Sequence, residues 1–453
     1  MQRIRNMTKG NPVRLILTFA FPLILSNLGQ QFYQITDAAI VGRGIGVKAL
    51  AAVGSTDWVC WLIIWTITGF TTGFSAFISR HFGEKDYQTL TKTVNNSAIL
   101  CFIIGILLTL TGVMLSRPVL TLLGTPKDII DDATIYLTTM MSGTLIVTAY
   151  NMAASVLRAL GDGKSPLIAM VVAAILNIGL DLVFVLLFKW GVFGAALASV
   201  LAQLFSFLYC YYQIRKIDCL KQNKQPLSLD LAKSKELLMF SMPLALEYIV
   251  IALGGIFLQA VINEQGSYFV AGFTATNKLY SLLESSSISL GIACATYLAQ
   301  NYGAKKYDRV RKGVTAGFWL AVWSSVIVSA IAFVLGKPML TLFLDVNQPG
   351  GIEAMDVAYK YLFLLGVFLS VLYLIHIYRN ALQAMGVSVW SMISGLGEFV
   401  VRTSVGLFFI RITGVEILYF VEPIAWLVAL LLVMIPYYCF YQKKLLNGAL
   451  TQG

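Results

Sequence analysis

Seven stretches of this chain run for twenty residues or more without a charged side chain: 15–36, 58–79, 93–116, 133–157, 190–214, 313–336 and 423–442. A helix rises about 1.5 Å per residue, so roughly 20 apolar residues cross the ~30 Å hydrocarbon core of a bilayer. Five more stretches qualify once one or two ionisable residues are admitted: 165–188 with Asp181, 237–263 with Glu247, 267–299 with Lys278 and Glu284, 361–378 extended on either side with His376, and 388–410 with Glu398 and Arg402. The expected fold class is therefore an all-α polytopic membrane protein with twelve transmembrane helices. The runs are too long and too continuous for barrel strands, which are about ten residues long and alternate.

Composition closes the other routes. Hydrophobic residues are 58% of the chain and charged residues 12%, about half the charge of an ordinary soluble domain. Disorder needs the opposite balance. The six cysteines form no CxxC pair and give no disulfide framework. No HExxH, GxSxG or P-loop pattern occurs, and an intramembrane enzyme would need such a constellation. Gly42-Arg43-Gly44-Ile45-Gly46 follows an apolar run and reads as a tight turn, not a nucleotide site. The basic start before residue 15 lacks an A-x-A cleavage pattern, so the first run reads as a retained span.

The net charge of +11 follows the positive-inside bias rather than a nucleic-acid surface. Of the 33 lysines and arginines, 23 fall at the two ends and in loops 80–92, 158–164, 215–235, 300–312 and 379–387, all on one side of the membrane. Both termini are thus expected in the cytoplasm, with the protein multi-pass in the plasma (inner) membrane.

The second half repeats the first. Phe82-Gly83-Glu84-Lys85-Asp86-Tyr87 recurs 220 residues on as Tyr302-Gly303-Ala304-Lys305-Lys306-Tyr307. Arg117-Pro118 recurs at Lys337-Pro338, Phe19 and Pro22 at Phe240 and Pro243, and Leu157–Gly161 at Leu382–Gly386. Ordered matches whose offset drifts only across loops mark a duplication. Six helices per half make the halves parallel, related by an axis along the membrane normal. The expected organisation is a six-helix lobe over 1–214, a cytoplasmic linker over 215–235 and a second lobe over 236–453. Two facing lobes suit an alternating-access transporter.

Charges inside spans are costly and are candidates for function. Gln30, Tyr33, Gln34 and Asp37 share one helical face, a polar stripe ending in a carboxylate. Pro22, earlier in that helix, can kink it. Asn177 and Asp181 are four apart and project together. Two carboxyls and an amide can share a proton or hold a sodium ion. Glu247, whose repeat counterpart is Ser26, belongs to one half only. Lys278 and Glu284 are not on one face, so each is expected to find a partner elsewhere, and Lys278 could neutralise Glu247. Glu398 and Arg402, four apart, suit an intrahelical salt bridge. His376 reads as a packing residue and Arg379 as interfacial.

Several segments resemble the multidrug and toxic compound extrusion (MATE) family: Phe21-Pro22-Leu23-Ile24, Thr36-Asp37-Ala38-Ala39-Ile40-Val41-Gly42, Leu157-Arg158-Ala159-Leu160-Gly161-Asp162-Gly163 and Ala299-Gln300-Asn301-Tyr302-Gly303-Ala304. The resemblance spans the chain. It implies a secondary efflux antiporter that needs no cofactor and exports organic cations or drugs in exchange for protons or sodium ions, by rocking alternating access. It places cation coupling on Asp37, Asn177 and Asp181. Tyr33, Gln34, Tyr136 and Ser199 form the supporting polar network, Pro22 is the hinge, and Glu247, Lys278 and Glu284 are substrate or coupling candidates of the second lobe. A monomer in the bilayer with a small organic cation as substrate is the expected state. A flippase of lipid-linked saccharides, or an exporter of a specific metabolite, is the rival. Acids outnumber bases inside the spans, which disfavours an anionic headgroup.

Overall fold

The structure is a computed structural model. It describes residues 5–223, 225–226, 228–344, 346, 350–443 and 445, apart from the side chains at 32–35, 38, 39, 43, 47 and 267. Among the described residues there is no β-strand. The helices are α1 (Pro12–Gly44), α2 (Val47–Glu84), α3 (Tyr87–Leu122), α4 (Ile130–Ser142), α5 (Thr144–Ala159), α6 (Lys164–Asp181) and α7 (Gly191–Ile214), then short α8 (Asp218–Gln222). The second half holds α9 (Leu231–Asn263), α10 (Ser267–Gly303), α11 (Tyr307–Leu340), α12 (Gly351–Ala384), α13 (Val389–Ser404), short α14 (Ile410–Thr413) and α15 (Val421–Pro436).

Among the described residues, eleven helical segments are long and apolar enough to cross a membrane. The twelfth crossing expected from sequence, 133–157, is a broken one: α4 and α5 meet at Gly143 with a bend of 45°. A Cβ on Gly143 would lie 2.5 Å from Val200 Cγ2, so only glycine lets α7 pack into the break. Its repeat counterpart, α12, is continuous.

The duplication is written in the backbone as well as in the side chains. Lys85 and Lys305, 220 apart, both adopt positive φ where α2 and α10 end. Gly46 and Gly266, again 220 apart, do so where those helices begin, and Gly161 and Gly386 do so 225 apart. Left-handed backbone is rare outside glycine, so its recurrence in register is informative.

The chain forms two compact units. The first comprises Met1–Asn6 and Phe21–Ala245, the second Met7–Ala20 and Leu246–Gly453. The change of unit therefore falls beside Pro22 in α1 and two residues past Pro243 in α9. Both helices run through these prolines without a break.

In the first unit, Phe74, Phe77, Ile78, Leu90, Leu157, Leu160, Cys210, Phe240 and Leu244 share one core. Here α2 meets the start of α9 at Gly69 and Gly73, where a Cβ would lie 2.5 Å from Ala245 Cα and 2.2 Å from Ser241 Oγ. Small residues allow backbones this close, which is how helices adhere where lipid offers no hydrophobic drive. Asn96 holds the segment before α9: it accepts from Asp230 N–H and donates to Asp230 O, both at 3.0 Å. In the second unit, Ala275, Leu279, Leu340, Met355, Ala358 and Leu362 join α10, α11 and α12. Phe273 stacks on Tyr361 with ring centroids 3.9 Å apart.

Candidate functional site

The first unit gathers Asp37, Asn177 and Asp181, from α1 and α6, with Ser199 of α7. Asp37 is 9% exposed, and Asn177 and Asp181 are fully buried. The two carboxyl groups lie close enough to interact directly. Two bare carboxylates repel, so such a pair favours a shared proton or a bound cation. The Asn177 amide, oriented by its network, donates to Asp181 Oδ2 at 2.8 Å and accepts from Ser199 N–H at 3.1 Å. Oδ1 of Asp37 and Oδ1 of Asp181 are buried without a hydrogen-bond partner among the described residues. Among the described residues no Lys or Arg forms an ion pair with either acid.

Local backbone sets this geometry. Asp181 is the last residue of α6, and a π-helical turn, Leu182–Leu187, follows it directly. Such turns shift the side-chain register and are frequent at functional sites. A Cβ on Gly194 would lie 3.0 Å from Phe184 Cβ and 3.2 Å from its backbone, so α7 packs tightly against the π turn. Tyr136 is 7% exposed and packs with Val41, Val53, Val185 and Val192. The side chains of Tyr33 and Gln34 lie outside the described residues.

One turn along α6 and α7 from Asn177 and Ser199 is a small cavity of about 40 Å³ lined by Gln30, Tyr150, Met170, Ala173, Gln203 and Ser206, among others. Gln203 Oε1 is buried with no hydrogen-bond partner. Sequence reasoning named Ser199 and missed Gln203 and Ser206. The signal was present: the three are spaced four and three apart on α7, a polar stripe like that of α1.

The second unit buries a chain of charges. Glu247 of α9 pairs with Arg379 of α12 at 3.2 Å. Arg379 also meets Glu398 of α13 at 2.5 Å, and Glu398 meets Arg402 at 3.1 Å. Arg402 continues to Glu422 of α15 at 2.8 Å. The expected Glu398–Arg402 bridge is thus one link of a longer network. Arg379 is not interfacial: it is 7% exposed and binds Ser394 Oγ as well. Arg379, not Lys278, neutralises Glu247, whereas Lys278 is exposed and forms no ion pair among the described residues. Glu284 lies beside Tyr280, one turn away on the same helix. Sequence alone places Arg379 at the interface and does not single out Glu422, because both lie near the ends of apolar runs, where charges are ordinarily solvated.

Two repeated units of membrane-crossing helices, each with ionisable groups buried at its centre, define a membrane transporter of duplicated architecture. A family model described as MatE matches residues 22–183 and 243–408, most of both halves. The chain belongs to this family, the multidrug and toxic compound extrusion transporters, and is not an enzyme. It is 29% identical, over 96% of both chains, to the probable multidrug resistance protein YoeA of Bacillus subtilis (strain 168). It is 27% identical to the probable multidrug resistance protein YpnP of the same organism, covering 86% of this chain and 87% of that one. A solved structure described as MATE in the bent conformation has the same fold, with TM-score 0.86, 22% identity and 98% of each chain covered.

Proposed function

We propose that this protein exports organic cations or drugs from the cytoplasm across the plasma membrane, driven by inward protons or sodium ions, with coupling at Asp37, Asn177 and Asp181. The observation that carries the reading is the juxtaposed pair of buried carboxyls, Asp37 and Asp181, with no basic partner among the described residues. A buried pair of this kind is stable only when it is loaded with a proton or a cation. Its free oxygens and the Asn177 amide give a sodium ion hard oxygen ligands. Loading the pair removes negative charge and weakens the hold on a cationic substrate. Exchange then follows from linkage between two ligands.

The lining of the neighbouring small cavity, with its tyrosine, methionine and amide groups, suits contact with part of an amphiphile. Rocking of the two units, with α1 bending at Pro22, would give alternating access. The names of the relatives support drugs as the substrate class.

The test is efflux of fluorescent cationic dyes from cells lacking other pumps. Wild type is compared with Asp37→Asn at equal expression, and the proton and sodium gradients are collapsed separately. The expected result is export by the wild type, loss in the variant, and arrest by collapse of one gradient, which names the ion. Equal export by both proteins would remove Asp37 from coupling. No export of any dye would turn the search to a specific metabolite or lipid-linked substrate.

A further inference from the structure

We propose that Arg379 is a built-in counter-cation that closes the second unit to the coupling ion, so that Glu247, Glu398 and Glu422 act as a fixed charge network and not as a second coupling site.

The two units treat their buried acids in opposite ways. In the first, Asp37 faces the carboxyls of Asp181 and Asp57, Asp181 meets the Asn177 amide, and among the described residues no Lys or Arg forms an ion pair with Asp37 or Asp181. In the second, each acid of the network holds a guanidinium: Glu247 at 3.2 Å, Glu398 at 2.5 Å and 3.1 Å, Glu422 at 2.8 Å. Three acids and two arginines alternate along one line. A guanidinium keeps its proton at any physiological pH. It cannot be released to either side of the membrane, as a proton or sodium ion can. The two guanidiniums balance two of the three carboxylates, and because every carboxylate of the network touches one, each gains less from a mobile cation than a bare buried acid does.

The placement of Arg379 fits this role. Nη1 serves Glu247 while Nη2 serves Glu398, and Nε and Nη2 both reach Ser394 Oγ, which in turn donates to Ala429 O. One side chain of α12 thus fixes α9, α13 and, through the serine, α15. Gly395 makes room: a Cβ there would lie 3.1 Å from Glu247 Cγ. Among the described residues no three His, Cys, Asp or Glu groups converge as metal ligands.

The other groups around the network do not alter the balance. They are Tyr248 on α9, Tyr280 and Glu284 on α10 and His376 on α12. Glu284 neighbours Tyr280, and Arg402 is taken by Glu398 and Glu422. Among the described residues Glu247 Oε2 is without a hydrogen-bond partner. If Arg379 were removed, that carboxyl would be a bare buried acid, the condition of Asp37 and Asp181.

The experiment uses the full-length protein in proteoliposomes and in detergent. Variants are Glu247→Gln, Arg379→Lys, Arg379→Met and the double variant Arg379→Met/Glu247→Gln. The readouts are the pH midpoint and sodium half-saturation of dye transport, and the melting temperature against pH and sodium chloride. Glu247→Gln is expected to leave both transport constants within threefold of wild type, even where turnover falls, and Arg379→Lys to keep the wild-type profile. In Arg379→Met the melting temperature is expected to gain a dependence on pH or sodium that the double variant lacks. A purely structural arginine would lower stability without adding that dependence. A shift of more than threefold in Glu247→Gln, or an Arg379→Met protein whose melting gains no ion dependence, overturns the proposal. If Arg379→Met does not fold, the transport constants of Glu247→Gln decide alone.

Discussion

Arg402 grips Glu422 with two parallel hydrogen bonds, Nε to Oε1 at 3.0 Å and Nη2 to Oε2 at 2.8 Å. The arginine comes from α13 and the glutamate from α15, so the pair joins two helices. Removing one member of such a buried pair strands the other. Arg402→Met should therefore lose about 3–5 kcal/mol of stability. The exposed pair Lys48–Asp128, 3.2 Å apart, sets the contrast. Lys48→Ala should cost about 0–1 kcal/mol. Thermal unfolding of both variants in one detergent tests the ranking, and equal losses would contradict it.

Asn177 donates to Asp181 Oδ2 and has no freedom to turn away, since its oxygen accepts from Ser199 N–H. Asn177→Leu removes a hydrogen bond to a buried acid, an interaction of about 1–3 kcal/mol. The half-saturation for the coupling ion should move by about fivefold to a hundredfold, with expression unchanged. Ion-dependent transport in proteoliposomes measures this. An unmoved half-saturation would separate Asn177 from coupling.

Gln203→Leu should behave in the reverse manner. The amide oxygen is buried without a partner, so replacing it removes an unsatisfied group and should not lower the melting temperature. Because the side chain lines the cavity, the relative rates for different dyes should change. A variant with an unchanged dye ranking would show that the cavity does not select substrate.

Gly143→Leu tests the broken crossing. The added side chain would enter space held by Val200, 2.5 Å away at the first carbon. Overpacking of this kind costs about 1–3 kcal/mol. Val200→Ala in the same chain should restore part of the loss. Additive losses in the double variant would mean that the close contact does not limit the site.

Much of the fold was legible because the bilayer imposes a length rule that sequence obeys locally. Runs such as 93–116 and 313–336 became α3 and α11 because an unpaired backbone cannot cross hydrocarbon. The repeat was legible for a similar reason: Lys85 and Lys305 keep a left-handed turn that short motifs encode. The candidate pair Asn177 and Asp181 could be read from helical spacing alone. The approach of Asp181 to Asp37, 144 residues earlier, could not, because spacing along a chain carries no distance between helices.

Sequence by itself therefore determined the membrane class, the number of crossings, the duplication and the acids worth watching. These depend on hydrophobicity, periodicity and short turn motifs, all local properties of the chain. The tertiary structure alone decided which charges meet. It paired Asp37 with Asp181, gave Glu247 to Arg379 and not to Lys278, and drew Glu422 from a helix start into a buried network. A buried charge is stable only in the company that packing provides, and that company comes from helices far apart in sequence.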